Sequence, residues 1–482
     1  MSRLFLTIIL LALPITASAA DRPNILFAFA DDWGLHASAY GDPVVKTPNF
    51  DRIAREGVLF QNAYISSPSC TPSRGAVLTG HYHWQLDGAA NLWSVFPDDF
   101  GTYPEFFKQS GYVTGVSGKG WGPGRTATKG RELAGKRFPN FQQFLKDRPK
   151  DTPFCYWLGT SDPHRPFKAG SGKAAGMDLS KIDVPACFPD SEVVRSDIAD
   201  YYVEVQRFDA LVGRALASLE ELGELDNTMV VMSSDHGMPF PRSKSNLYDS
   251  GARVPLAISF GSKIKAPGRT VQDFVSLIDL APTFLDVARV NIPFALTGRS
   301  LRPILESDKS GMVESDRDSV VFGKERHVPS QEKPDMGGYP CRAIRTKGFL
   351  FIRNYRPDRW PNGTPDYKNA AIPGTWLGDT DNGPTKTYMV DNRDRDETHR
   401  RLYDLSFAKR PAVELYDLKS DPDQLNNVAD KPQHADTLAR LSGQLDSKLK
   451  ASGDPRADGE GDFFDTFPYL GGGPKFPGFG RK

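Results

Sequence analysis

The sequence predicts an α/β fold: a large, mostly parallel sheet sandwiched by helices, plus a smaller C-terminal antiparallel sheet subdomain with a helix. Three observations predict it. Apolar runs without alternation recur over the first part of the chain, beginning with Asn24 to Ala30, and such runs suit strands buried on both faces. Several of these runs end in charged residues, where the carboxyl ends of α/β strands bind ligands. Beyond a Ser-rich, charged stretch at 307–314 the strand-like runs shorten, as at Phe349 to Ile352. One helical pattern, about Pro432 to Leu449, follows them.

Composition narrows the classes. The chain has 482 residues, 39% hydrophobic and 25% charged, which is globular and long enough for two cores. Sixty Lys and Arg balance sixty Asp and Glu. That balance argues against a nucleic-acid or membrane-surface binder but leaves room for local basic patches around a polyanionic substrate. Arg3, the apolar run Leu4 to Leu13 and Ala17-Ser18-Ala19 read as a signal peptide spanning 1–19, so export to a periplasm, the exterior or a lysosome is expected, with no membrane anchor. The expected organisation is a catalytic domain at 20–310, an α+β subdomain at 311–453 and an irregular or disordered Gly/Pro/Phe-rich tail at 454–482. Four cysteines are too few for a disulfide scaffold.

Taken in order, the strand Asn24–Ala30 runs into Asp31 and Asp32. Adjacent carboxylates repel unless a cation lies between them, and a hard metal ion wants oxygen ligands. Thr47-Pro48 opens a helix that Gly57 closes. The stretch from Cys70 to Gly80 reads as a short helix with Thr71 at the N-cap, Pro72 in the first position and Gly80 as the stop. Its start favours an anion beside Cys70, and Arg74 adds a cation with a bidentate fork. Tyr112 to Lys119 is a strand delivering a lysine, and Pro153 to Leu158 is a strand running into the Pro-flanked His164. Val205, Phe208, Val212, Leu216 and Leu219 mark the core face of a helix over Ile198 to Leu222. The strand Thr228–Met232 ends in Asp235 and His236, which can join Asp31 and Asp32 only if the two strands are neighbours. Lys244 follows in a basic run.

Cys70, Pro72, Ser73, Arg74, Leu78, Thr79 and Gly80 together resemble the signature of the type I sulfatases, members of the alkaline phosphatase-like superfamily. The resemblance implies that Cys70 is oxidised by a maturation enzyme to formylglycine, whose hydrate is the nucleophile. It implies Arg74, Lys119 and Lys244 around the sulfate and His164 as the acid that protonates the leaving group. It also implies one calcium ion on Asp31, Asp32, residue 70, Asp235 and His236. With Cys70 converted, at most one disulfide forms. Asp235 to Pro241, Asn246-Leu247-Tyr248 and Leu296 to Leu301 bring the chain nearest to the heparan N-sulfatase (sulfamidase) branch, whose substrate would be an N-sulfoglucosamine-type glycan. The chain departs from the family at Trp121, where a histidine is usual; His81 and His83 are candidates for its role, and Arg326, His327 and Arg342 for a substrate loop. Competing readings are an O-sulfatase of another polysaccharide, a phosphatase or phosphodiesterase on the same fold, and an inactive glycan-binding homologue. A homodimer is left open.

Overall fold

The computed structural model describes residues 22–480, so the signal-peptide stretch lies outside the described residues. Among the described residues no helix is long and apolar enough to cross a membrane. The strands are β1 (Asn24–Ala30), β2 (Val58–Tyr64), β3 (Ser94–Phe96), β4 (Val113–Ser117), β5 (Gly124–Thr126), β6 (Lys136–Arg137), β7 (Phe154–Gly159), β8 (Thr228–Ser234), β9 (Leu256–Ser259), β10 (Arg269–Ser276), β11 (Ser319–Lys324), β12 (Cys341–Thr346), β13 (Phe349–Asn354) and β14 (Val413–Asp417). An eight-stranded sheet runs β10-β2-β9-β8-β1-β7-β4-β6. Only β9 is antiparallel to its neighbours. The fold is alkaline phosphatase-like, as expected.

The unalternating strand sequences follow from helices on both faces. In β1, Ile25, Phe27 and Phe29 enter one core with Leu280 and Phe284, while Leu26, Ala28 and Ala30 enter the other with Val205, Phe208 and Val212. Each large apolar side chain buried this way contributes about 1.5–3 kcal/mol. The helix carrying the second face runs over Glu192–Glu221, beginning earlier than its apolar pattern because Ser191 Oγ accepts from the Val194 N–H. It also supplies Asp209, which accepts from the N–H groups of Asn49 (3.2 Å) and Phe50 (2.8 Å) at the start of α1 (Pro48–Glu56). The α1 cap therefore comes from a distant carboxylate, not from Thr47, whose hydroxyl turns to Ser38 and Asp51.

A separate antiparallel sheet, β11-β12-β13-β14, is covered by the helix Ala435–Ala451, which lays Leu441, Leu445 and Leu449 on Val321, Ile344, Phe351 and Leu415. The charged stretch at 307–314 is not a free linker: Gly311 pairs with Val271, and Asp273 accepts from the Val313 and Glu314 N–H groups. Nor is the described part of the tail disordered. It forms short turns at Pro455–Asp458 and Gly461–Thr466, then returns so that Pro474 O accepts from Trp376 N. All four cysteines are free thiols.

Candidate active site

Four adjacent strands, β8, β1, β7 and β4, point their carboxyl ends at one place, the position where parallel sheets bind ligands. The register Ala30–Ser234 brings Asp31 and Asp32 out beside Asp235 and His236. Asp32 takes a left-handed backbone (φ 72°) that aspartate tolerates better than most residues. That turn aims its N–H at Asp235 Oδ1, 3.0 Å away. Lys119 follows β4, His164 follows β7, and Lys244 lies in the loop beyond β8.

Cys70 arrives on α2 (Cys70–Thr79), a helix buried along its whole length and closed by Gly80 at φ 71°. The N-cap position is Ser69 rather than Thr71, so Cys70 is the first helical residue, and the Thr71 hydroxyl donates to Pro123 O (2.5 Å). Cys70 Sγ lies 3.4 Å from His236 Nε2 and 3.6 Å from Asp31 Oδ1. Arg74 also differs from the sequence expectation. Its Nε donates to Asp235 Oδ2 (2.8 Å), and its terminal nitrogens to Asp31 Oδ1 (3.3 Å) and to the carbonyls of Ala30, Lys119 and Gly120. With its donors so engaged, its fork binds the carboxylates and strand ends together instead of facing an incoming anion.

The two lysines are paired with the carboxylates as well. Lys119 Nζ is 2.5 Å from Asp31 Oδ1, and Lys244 Nζ bridges Asp32 Oδ2 (2.8 Å) and Asp381 Oδ2 (2.7 Å). His164 Nδ1 is held by its neighbour's carbonyl (Arg165 O, 2.6 Å), which leaves Nε2 directed between Asp32 (3.9 Å) and Asp381 (3.8 Å). Burial would raise the Asp32 carboxyl, but Lys244, His164 and His236 overturn that and hold it well below the carboxylate range. Burial likewise opposes the charge on Lys244, and Asp32 and Asp381 restore it, so its ammonium persists far into alkali. Burial pushes the Cys70 thiol up, against Lys119 and with Asp31 and Asp235; at neutral pH it is a thiol, a weak nucleophile as it stands.

The donor set fits a hard cation. His236 Nδ1 is engaged by Gly237 O (3.0 Å), which leaves Nε2 3.0 Å from Asp32 Oδ1. Against burial, Asp235 and Asp32 raise this imidazole, so Nε2 carries a proton that a bound metal would displace. That buried carboxylate oxygen has no hydrogen-bond partner. One ligand atom each from Asp32, Cys70 and His236, and likewise from Asp31, Cys70 and Asp235, lie within 4.8 Å of one another. A cation answers all of these lone pairs at once.

The sulfatase family model matches residues 23–290, more than half of the chain. The chain belongs to the sulfatase family. A second model, described as the C-terminal part of N-sulphoglucosamine sulphohydrolase, matches residues 237–361. Human N-sulphoglucosamine sulphohydrolase is 30% identical over 88% of this chain and 89% of its own length. A ulvan-active sulfatase of Formosa agariphila is 26% identical over 90% of the chain and 76% of its own length. A solved structure in complex with D-glucosamine-2-N,6-O-disulfate shares the fold at a TM-score of 0.61 and 24% identity, covering 91% of this chain and all of the other. So does a phosphonate monoester hydrolase of Agrobacterium radiobacter, at a TM-score of 0.61 and 19% identity over 89% of this chain and 96% of that one.

The sulfatase's cluster opens into a cavity of about 530 Å³ walled by parts of the chain far apart in sequence. Its lining includes Trp93 and Trp121, then His327, Val328 and Asp381, and Gly472 to Pro474 of the tail. Sequence reasoning missed Asp381 altogether. It sits in a loop whose carbonyls at Trp376, Leu377 and Thr380, with the Asn382 side chain, all accept from the buried Lys386 ammonium. Its neighbour Asp379 anchors the same loop to Lys324 and to the Val328 N–H. The guesses for the family's missing histidine fail for position: His81 is held by Thr297 and His83 is sealed against Ser66, neither on the cavity. Arg326 bonds tail carbonyls and Arg342 is locked in an internal ion network, so of that trio only His327 reaches the site.

Proposed function

We propose that this sulfatase removes sulfo groups from an exported glucosamine-type sulfated glycan, N-sulfoglucosamine first, using formylglycine at residue 70 and a calcium ion held by Asp31, Asp32, Asp235 and His236. The observation that carries this is the convergence of Cys70, two lysines and His164 on one cavity around a carboxylate cluster. The named activity of the human relative, and the second model match, support the N-sulfated sugar. Bound there, calcium would neutralise the carboxylates and polarise the oxygens of residue 70 and of the sulfo group. Oxidation of Cys70 to the aldehyde, and its hydration, would supply the two hydroxyls that let a covalent step be undone without water attacking sulfur.

The chain's own residues account for the rest. Lys119 and Lys244 draw in the anionic oxygens at the start of α2, where the helix adds its positive end. Arg74 fixes Asp31 and Asp235, so the carboxylates do not move as charge shifts. His164 Nε2 gives its proton to the departing nitrogen or oxygen. Trp121 excludes the usual histidine, and His327 takes the proton-accepting role. Its Nδ1 is paired with Ser69 Oγ at 2.8 Å, next to residue 70. Burial, with Lys244 and Lys324 and against Asp379, pushes this imidazole down to about 3, so it is neutral in the empty site and a weak base there; the role requires the bound sulfo group's negative charge to raise it. Trp93 and Trp121 offer faces for a sugar ring.

The test is sulfate release from N-sulfoglucosamine, heparin-derived, chondroitin and algal oligosaccharides, with phosphate and phosphonate esters beside them. Cys70→Ala should remove at least 1,000-fold of the sulfate release and leave the circular dichroism spectrum unchanged. Turnover that survives the substitution, or a preference for phosphonate esters, overturns the assignment.

A further inference from the structure

We infer that a second, basic cavity beside the catalytic one binds an anionic sugar one or more rings away from the sulfo group being removed. This rests on the glycan reading above and adds to it a site for the rest of the substrate. The cavity measures about 740 Å³ and shares Gly120, Trp121 and Arg137 with the catalytic cavity, so the two meet along one indole and one guanidinium.

Its wall is unusual for this chain. The formal charge is balanced overall, yet 124–137 carries Arg125, Lys129, Arg131, Lys136 and Arg137 against Glu132 alone. The nearby carboxylates are already used. Glu105 is taken by Arg131 in a bidentate pair, Asp98 by Thr128 and Arg131, and Glu132 by Lys108. Arg125, Lys129, Lys136 and Arg137 are exposed, and among the described residues none has a carboxylate within 4.0 Å. Three of these unpaired cations, Arg125, Lys129 and Arg137, line the cavity and repel one another, and an anion there would relieve that repulsion. The segment is held in shape, because Thr126 and Thr128 hydroxyls tie it to its own backbone and to Asp98, and β5 pairs with β3. A sulfated or carboxylated oligosaccharide matches all of this: spaced negative charges, flat faces for Trp121, and a length that a single catalytic cavity cannot hold.

The experiment uses the full chain and the double variant Arg125→Glu with Lys129→Glu, both residues away from the catalytic cavity. Sulfate release is measured on a monosaccharide N-sulfate and on a heparin-derived hexasaccharide. The expected result is a five- to tenfold higher KM on the hexasaccharide, a flatter dependence of that KM on salt, and unchanged kcat and KM on the monosaccharide. An unchanged hexasaccharide KM, or an equal loss on both substrates, overturns the proposal. Titration of the hexasaccharide into Cys70→Ala, with and without the double change, separates the two readings. Binding weakened by the double change upholds the basic cavity even if no glycan is turned over, whereas equal binding in the two chains removes it.

Discussion

Two of the buried groups of charged side chains, one around Arg342 and one around Cys70, are built differently. Around Arg342, two arginines face two carboxylates. Arg342 donates to Asp454 (2.6 and 3.0 Å) and Glu325 (2.6 Å), and Arg456 donates to both oxygens of Glu325. Every carboxylate oxygen there has a partner, and none of these four residues lines the catalytic cavity. Around Cys70, four carboxylates, Asp31, Asp32, Asp235 and Asp381, meet Arg74, Lys119 and Lys244 and the imidazoles of His164 and His236, and Asp32 Oδ1 is left without a hydrogen bond. Burial of charge is therefore not what marks the site. The mark is a carboxylate oxygen left unpaired beside an opening, which the Arg342 network lacks.

That difference can be broken by mutation. The largest expected effect on stability is at the balanced network. Arg342→Met leaves Asp454 and one side of Glu325 uncompensated and should cost about 3–5 kcal/mol, read by urea denaturation. The kcat/KM of the folded fraction should stay put; a fall in it would show that the two groups are coupled. Asp235→Asn should do the reverse. It removes the anchor of Arg74 and one oxygen donor, and should lower kcat/KM about 100- to 1,000-fold with a smaller loss of stability. A full loss of stability with intact turnover would invert the comparison.

The seam between the two regions is sensed by His327. Its unfolded imidazole takes a proton below about 6.5, while the folded one stays neutral until about 3. The unfolded state thus binds more protons in that window, so stability falls as pH drops from about 6.5 toward 3, by up to about 4–5 kcal/mol. In thermal melts, His327→Gln should flatten the decline of Tm with acid; an unchanged slope would place the titration elsewhere. The smallest effect is at the surface. Arg52, paired with Glu56 and Glu220 in solvent, should change stability by less than about 0.5 kcal/mol when replaced by alanine.

Why some of this was legible in the sequence follows from the same comparison. Asp31, Asp32, Asp235 and His236 are read easily because each pair ends a buried strand, and strand neighbours are few. Cys70 and Arg74 are read from one short helix, although Arg74's engaged donors could not be foreseen, since its partners lie up to 161 residues away. Thr71 reads as the N-cap from its residue type alone, but the helix starts one residue earlier and neither hydroxyl caps it, Thr71 donating to Pro123 O and Ser69 pairing with His327. His81, His83, Arg326 and Arg342 show the opposite limit: chemistry-bearing side chains whose direction depends on packing far away. Asp381 had no signal at all. It sits in a loop without period, and its place is set by Lys386 and Asp379, whose own contacts are tertiary.

One feature of the fold bears on how the active protein is made. Cys70 is 3% exposed, behind walls that come from His327, Asp381 and Gly472 to Pro474, all synthesised after it. If residue 70 is converted as proposed, a second protein that oxidises this thiol has to meet it while the chain is still open. On that proposal, a host lacking the step would deliver a chain with the right shape and no activity, and refolding it later would not mend the defect.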